Sequence, residues 1–139
     1  MPSTRRSRKR LDQPPTFLVD RTFGHEVAQT LRDLGYTTYM LADIYGGKRS
    51  EKVKDPSWIR RSANEGWIGI TRDHLRPWRG VIIGSHARIF RIGRAAGNAP
   101  TQCAWLRTNI HRMVQRARHP GPWLYVVREN SIEPTPLRK

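Results

Sequence analysis

The chain has 139 residues, of which 26 are Lys or Arg and 11 Asp or Glu, giving a formal charge of +15 at a hydrophobic content of only 37%. That length bounds one domain with one core, no apolar run approaches the ~20 residues of a membrane span, and the single Cys103 excludes an internal disulfide and a Cys-based zinc site. So large a positive excess implies a polyanionic partner, most economically nucleic acid, because Lys and Arg that neutralise phosphates release counterions, with an anionic membrane the weaker alternative.

In chain order, residues 1–15 predict a disordered basic tail. Arg5, Arg6, Arg8, Lys9 and Arg10 repel one another without apolar partners, and Pro14-Pro15 marks the boundary. Residues 16–20 predict a short buried strand ending at Asp20. From Gly24 to Leu34, Val27, Ala28, Leu31 and Leu34 recur at helical spacing before the stop at Gly35. Tyr36 to Leu41 predicts a second strand, and a polar loop follows from Asp43 to Lys54. Asp55-Pro56 starts a helix that Gly66 ends, and Trp67 to Ile70 predicts the third strand.

Leu75 to Ala87 fits either a strand or a helical turn around Val81-Ile82-Ile83. Arg88 to Ile92 predicts the fourth strand, Thr101 begins a long helix, and Trp123 to Val127 predicts the last strand after Pro120-Gly121-Pro122. Residues 131–139 predict a short C-terminal tail, leaving 16–130 as the folded domain. Strands alternating with helices imply a mostly parallel sheet covered on both faces.

Three aspartates stand at the ends of these runs: Asp20 after the first strand, Asp55 at a helix start, and Asp73 after the third strand. In a parallel sheet, functional groups gather where strands end. Carboxylates converging there need a cation, and hard oxygen ligands suit Mg2+ or Mn2+. Arg21 and Arg72 flank two of the acids, and Arg76 and Arg79 lie in a basic loop; planar guanidiniums suit phosphate contact.

The run from Phe17 to Val127 resembles the PIN-like nucleases, in particular the compact PIN-like toxins of bacterial toxin–antitoxin pairs. Its landmarks are the apolar strand ending in Asp20, the segment Leu41-Ala42-Asp43-Ile44-Tyr45-Gly46, and Asp55-Pro56-Ser57-Trp58-Ile59. Gly66-Trp67-Ile68-Gly69-Ile70-Thr71-Arg72-Asp73 and Pro120-Gly121-Pro122-Trp123-Leu124-Tyr125 complete the pattern. The resemblance implies a three-layer α/β/α PIN-like domain with a mostly parallel sheet of four or five strands. It implies Asp20, Asp55 and Asp73 as metal-binding and catalytic acids, with Thr71 orienting a carboxylate or a water. The family's remaining acid, usually a Glu, has no obvious counterpart, and Asp43 is the best substitute.

The activity implied is Mg2+- or Mn2+-dependent hydrolysis of RNA, carried out in the cytoplasm by a toxin with an antitoxin protein as partner. An oligomer is compatible with this, and membrane attachment is not implied. The alternative from a different class is a non-catalytic, basic nucleic-acid-binding protein on a degenerate PIN-like fold.

Overall fold

The computed structural model describes residue 11 and residues 13–138, so the Arg-rich stretch of the predicted basic tail lies outside the described residues. Strand β1 (Phe17–Val19) leads to helix α1 (His25–Asp33), β2 (Thr38–Met40), and the short helices α2 (Leu41–Tyr45) and α3 (Gly47–Ser50). Helix α4 (Asp55–Glu65), β3 (Ile68–Thr71), a 3-10 turn (Arg76–Trp78), α5 (Arg79–Ser85) and β4 (Arg88–Ile92) follow. The chain ends with α6 (Ala99–Ala117), β5 (Trp123–Val127) and β6 (Ile132–Pro134).

The sheet runs in the order β2-β1-β3-β4-β5-β6. Every pairing from β2 to β5 is parallel, and β5 with β6 is antiparallel. Parallel strands here are buried on both faces, which is why β1 and β3 read as almost continuous apolar runs; β4 is equally buried although it carries Arg88 and Arg91. One face packs Phe17, Val19, Ile70 and Phe90 under Val27 and Leu31 of α1 and Leu106 and Met113 of α6. The other packs Leu18 and Ile89 under Leu41, Trp58, Ile59 and Ile82 of α2, α4 and α5. The expected three layers, helices on sheet on helices, are therefore present.

Local stops behave as the residue types demand. Gly66 closes α4 in the left-handed conformation at φ +76°, where a side chain would be strained. Asn98 caps α6 by accepting the Thr101 N–H at 2.9 Å, which starts that helix at Ala99, two residues before the expected Thr101.

The polar loop expected from Asp43 to Lys54 instead carries most of α2 and all of α3, one open segment is decided, and one expected tail is not a tail. The ambiguous stretch 75–87 is helical at Arg79–Ser85, because parallel neighbours β3 and β4 need a crossover back along the sheet. The segment taken for a C-terminal tail contributes β6, a sixth strand. Its prolines argue against a strand in a sheet interior, but β6 is an edge strand, where Pro is tolerated. Among the described residues no helix is long and apolar enough to cross a membrane.

Candidate active site

The chain leaves β1 outward to β2, and β3, β4 and β5 are then added on the opposite side of β1. Loops leaving β1 and β3 therefore diverge, and a crevice opens at the carboxyl ends of those two strands. Asp20 immediately follows β1, Thr71 is the last residue of β3, and Asp73 lies just beyond it.

Asp20 is 2% exposed. Its backbone N–H still donates to the Ile70 carbonyl at 3.0 Å, so the carboxylate is rooted in the sheet. Oδ1 accepts from the Thr22 N–H at 2.9 Å and from the Thr22 hydroxyl. Oδ2 accepts from the Thr71 hydroxyl at 2.5 Å. Among the described residues no Lys or Arg pairs with it. Burial pushes its pKa from 3.8 to about 6; the hydrogen bonds from Thr22 and Thr71 oppose the rise and the charge of Asp55 adds to it.

Both threonines do double duty. The Thr71 hydroxyl accepts from the Asp73 N–H at 3.0 Å, and the Thr22 hydroxyl accepts from the Arg72 N–H at 3.1 Å. Each hydroxyl thus passes a backbone hydrogen bond of the β3 loop on to one oxygen of Asp20. Asp73 in turn accepts the Leu75 N–H on Oδ1 at 3.0 Å, an Asx turn that aims the chain away from the strand. Sequence reasoning identified Thr71 but missed Thr22. Its signal was an Asp-x-Thr turn mirroring the Thr-x-Asp that closes β3.

Asp55 opens α4, as its Asp-Pro pair predicts, but its carboxylate does not cap the helix. Oδ1 accepts from the Trp58 indole N–H at 2.9 Å. Trp58 is fully buried against β3, where a β-carbon on Gly69 would come within 2.7 Å of its ring. Gly69 thereby lets the indole settle on the sheet and carry Asp55 close enough for Asp20 to sense its charge. Asp43 is differently engaged: Oδ2 accepts from the Met40 N–H at 2.7 Å and pairs with Arg32 at 3.1 Å. Among the described residues no three His, Cys, Asp or Glu side chains converge closely enough to hold a metal ion. Asp20 and Asp55 lie within each other's field, Asp73 joins Asp20 through Thr71, and Asp43 makes none of these contacts.

Of the candidate phosphate contacts, Arg21 is exposed and donates to the Glu51 carbonyl at 2.5 Å. Arg76 is exposed in the 3-10 turn. Arg79 donates to the Pro136 carbonyl at 3.0 Å, and the Nε atoms of Arg72 and Arg79 are buried without a partner among the described residues.

The donor chemistry fits a hard divalent cation: a buried carboxylate lacking a cationic partner, a second carboxylate raising its pKa, and oxygen donors throughout. No solved structure gives a significant match to the chain. A curated protein of Mycobacterium tuberculosis (strain ATCC 25618 / H37Rv), named "Putative ribonuclease VapC45", is 33% identical over 119 residues, covering 82% of this chain and 86% of that protein. The family model described as PIN like domain matches residues 15–91, which span the β1–β3 crevice and run to Arg91 of β4. The chain belongs to the PIN-like domain family.

Proposed function

We propose that the protein is a divalent-metal-dependent endoribonuclease acting in the cytoplasm, the toxin of a pair whose antitoxin partner is a protein. The observation that carries this reading is the Asp20 carboxylate, buried at the switch point of a parallel sheet, held by two threonines and lacking a cationic partner among the described residues. The relative's name adds support for the RNA substrate.

Asp20 and Asp55 would hold Mg2+ or Mn2+, with the exposed Asp73 turning toward them to join when the ion binds. When bound, the ion would activate water and offset charge building on the phosphate. Thr71 and Thr22 fix both oxygens of Asp20, so the carboxylate enters the reaction already oriented. Trp58 does the same for Asp55 through its indole N–H. Asp43 stands as an outer carboxylate, since only its Oδ1 lacks a partner among the described residues. Arg21, Arg72, Arg76 and Arg79 would hold the RNA backbone by charge and shape, without reading bases.

RNA cleavage by purified wild type and Asp20→Asn, each with Mn2+ and with EDTA, tests the reading. Cleavage by wild type with Mn2+ alone supports it. Equal cleavage by Asp20→Asn, or cleavage that survives EDTA, overturns it. A non-catalytic nucleic-acid-binding protein would bind RNA under all four conditions and cleave in none.

A further inference from the structure

Strand β4 carries an arginine at a position where the sheet has no solvent face. Arg91 stands in register with Thr71 of β3, so the two side chains project from the same face at the carboxyl edge of the sheet. It is 8% exposed, and its Nε is buried with no hydrogen-bond partner among the described residues. Among the described residues no carboxylate pairs with it. A buried guanidinium nitrogen without a partner is costly, and native folds rarely leave one so.

Its surroundings deepen the problem. After burial, the charges of Arg128, Arg79 and Arg76 all lower the Arg91 pKa. Of these arginines, Arg128 has an acid partner, Glu133 at 2.7 Å. The contrast is with Arg88 three residues earlier, whose guanidinium donates to the carbonyls of Ala117 and Gly66 and so is satisfied within the fold. The two buried arginines of one strand thus differ in kind: Arg88 is bonded to the fold, and Arg91 is left to something outside it.

The carboxyl edge of the sheet is therefore divided. Asp20, Asp55 and Asp73 belong to the β1–β3 half, and Arg76, Arg79, Arg91 and Arg128 to the β4–β5 half. We infer that Arg91, with Arg76 and Arg79 beside it, forms an anion subsite that takes a backbone phosphate of the bound polynucleotide, next to the phosphate facing the acids. A guanidinium fork suits the two free oxygens of a phosphodiester, and an anion held there would offset the repulsion among the arginines. The placement next to a reacting phosphate rests on the nuclease reading; the anion subsite does not.

The test is binding of an end-labelled RNA by fluorescence anisotropy in EDTA, across a salt series. Arg91→Gln should weaken binding about tenfold and reduce the slope of log affinity against log salt by about one. Arg91→Lys should restore the slope and only part of the affinity, because it keeps the charge without the fork. Arg107→Gln on the exposed face of α6 makes the same charge change elsewhere and should shift affinity by less than about twofold. Equal losses in Arg91→Gln and Arg107→Gln overturn the subsite. So does a wild type whose melting temperature rises with inorganic phosphate while its RNA affinity ignores Arg91, for that would be a site for free phosphate. If Arg91→Gln does not fold, Arg76→Gln, altered at an exposed side chain, carries the same comparison. Because binding is read without metal, a wild type that never cleaves RNA overturns the nuclease reading alone, and Arg91-independent binding in a cleaving wild type overturns the subsite alone.

Discussion

The Thr71 hydroxyl donates to the Asp20 carboxylate at 2.5 Å across 51 residues of sequence, and both side chains are buried. The contact exists because β1 and β3 are parallel neighbours ending at the same level, so it forms only when the sheet has assembled. Thr71→Val keeps the shape and deletes the hydroxyl. It strands one carboxylate oxygen and the Asp73 N–H, at a cost of about 1–3 kcal/mol of stability. Cleavage should fall by roughly 10- to 100-fold, as when the partner that orients a metal ligand is lost. Thr71→Ser should recover most of both. Thermal melts and RNA cleavage rates on the two variants decide it, and a fully active Thr71→Val would remove the hydroxyl from the mechanism.

Asp20 predicts a pH dependence of stability. Its folded pKa of about 6 exceeds the ordinary 3.8, so between those values the folded chain holds a proton that the unfolded chain has lost. Stability without metal therefore declines as pH rises through that window, and the ionised carboxylate costs roughly 3 kcal/mol above it. Asp20→Asn removes the cost. In EDTA the variant should melt higher than wild type at neutral pH, with the advantage gone by about pH 4. Added Mn2+ should then raise the wild-type melting temperature and leave the variant unmoved. A variant that melts lower than wild type at neutral pH would show that the charge is already compensated in the fold.

Trp58 and Gly69 form a positioning pair for Asp55. Gly69→Ala would set a β-carbon 2.7 Å from the buried ring, so the indole or the strand must shift. Such overpacking costs about 1–3 kcal/mol. Trp58→Phe is the second probe: it keeps an aromatic ring on the sheet and deletes the N–H that holds Asp55, while the smaller ring leaves a cavity whose cost melting curves read separately. Cleavage by Trp58→Phe should drop by roughly tenfold or more with binding of RNA in EDTA unchanged. Unaltered cleavage would mean that Asp55 needs no tether, or takes no part.

Much of this was legible in the sequence for a physical reason. The strands β1, β3 and β5 are buried on both faces and so read as apolar runs, and Gly35 and Gly66 mark the ends of α1 and α4 where a left-handed residue is required. The crossover α5 was not, because Val81-Ile82-Ile83 suits a strand or a helix turn equally and only the parallel pairing of β3 with β4 selects the helix. Strand β6 hid behind Pro134, which an edge tolerates. The site was half legible. Asp20 and Asp73 declare themselves by ending strands, but the tether of Asp55 to Trp58 depends on the missing side chain of Gly69, a contact between elements. Arg91 was hardest to see: an arginine in a strand reads as solvent-facing until both faces of the sheet are known to be covered.

Asp73 and Asp43 offer the sharpest contrast among the acids. Both follow the carboxyl ends of strands, β3 and β2, yet their hydrogen bonds assign them different work. Asp73 is linked through its N–H to Thr71 and thence to Asp20, and it is exposed; Oδ1 is held by the Leu75 N–H, and Oδ2, with no hydrogen bond among the described residues, is the oxygen left to face a cation. Asp43 holds the start of α2 through the Met40 N–H and pairs with Arg32. Asp73→Asn should therefore abolish Mn2+-dependent cleavage while the fold and RNA binding persist. Asp43→Asn should cost about 1 kcal/mol through the weakened helix start and reduce cleavage far less than Asp73→Asn. Rates at saturating Mn2+, read beside melting curves, separate the two effects. A loss in Asp43→Asn as deep as that in Asp73→Asn, at unchanged melting temperature, would promote Asp43 from helix-start residue to metal ligand and place the family's fourth acid there.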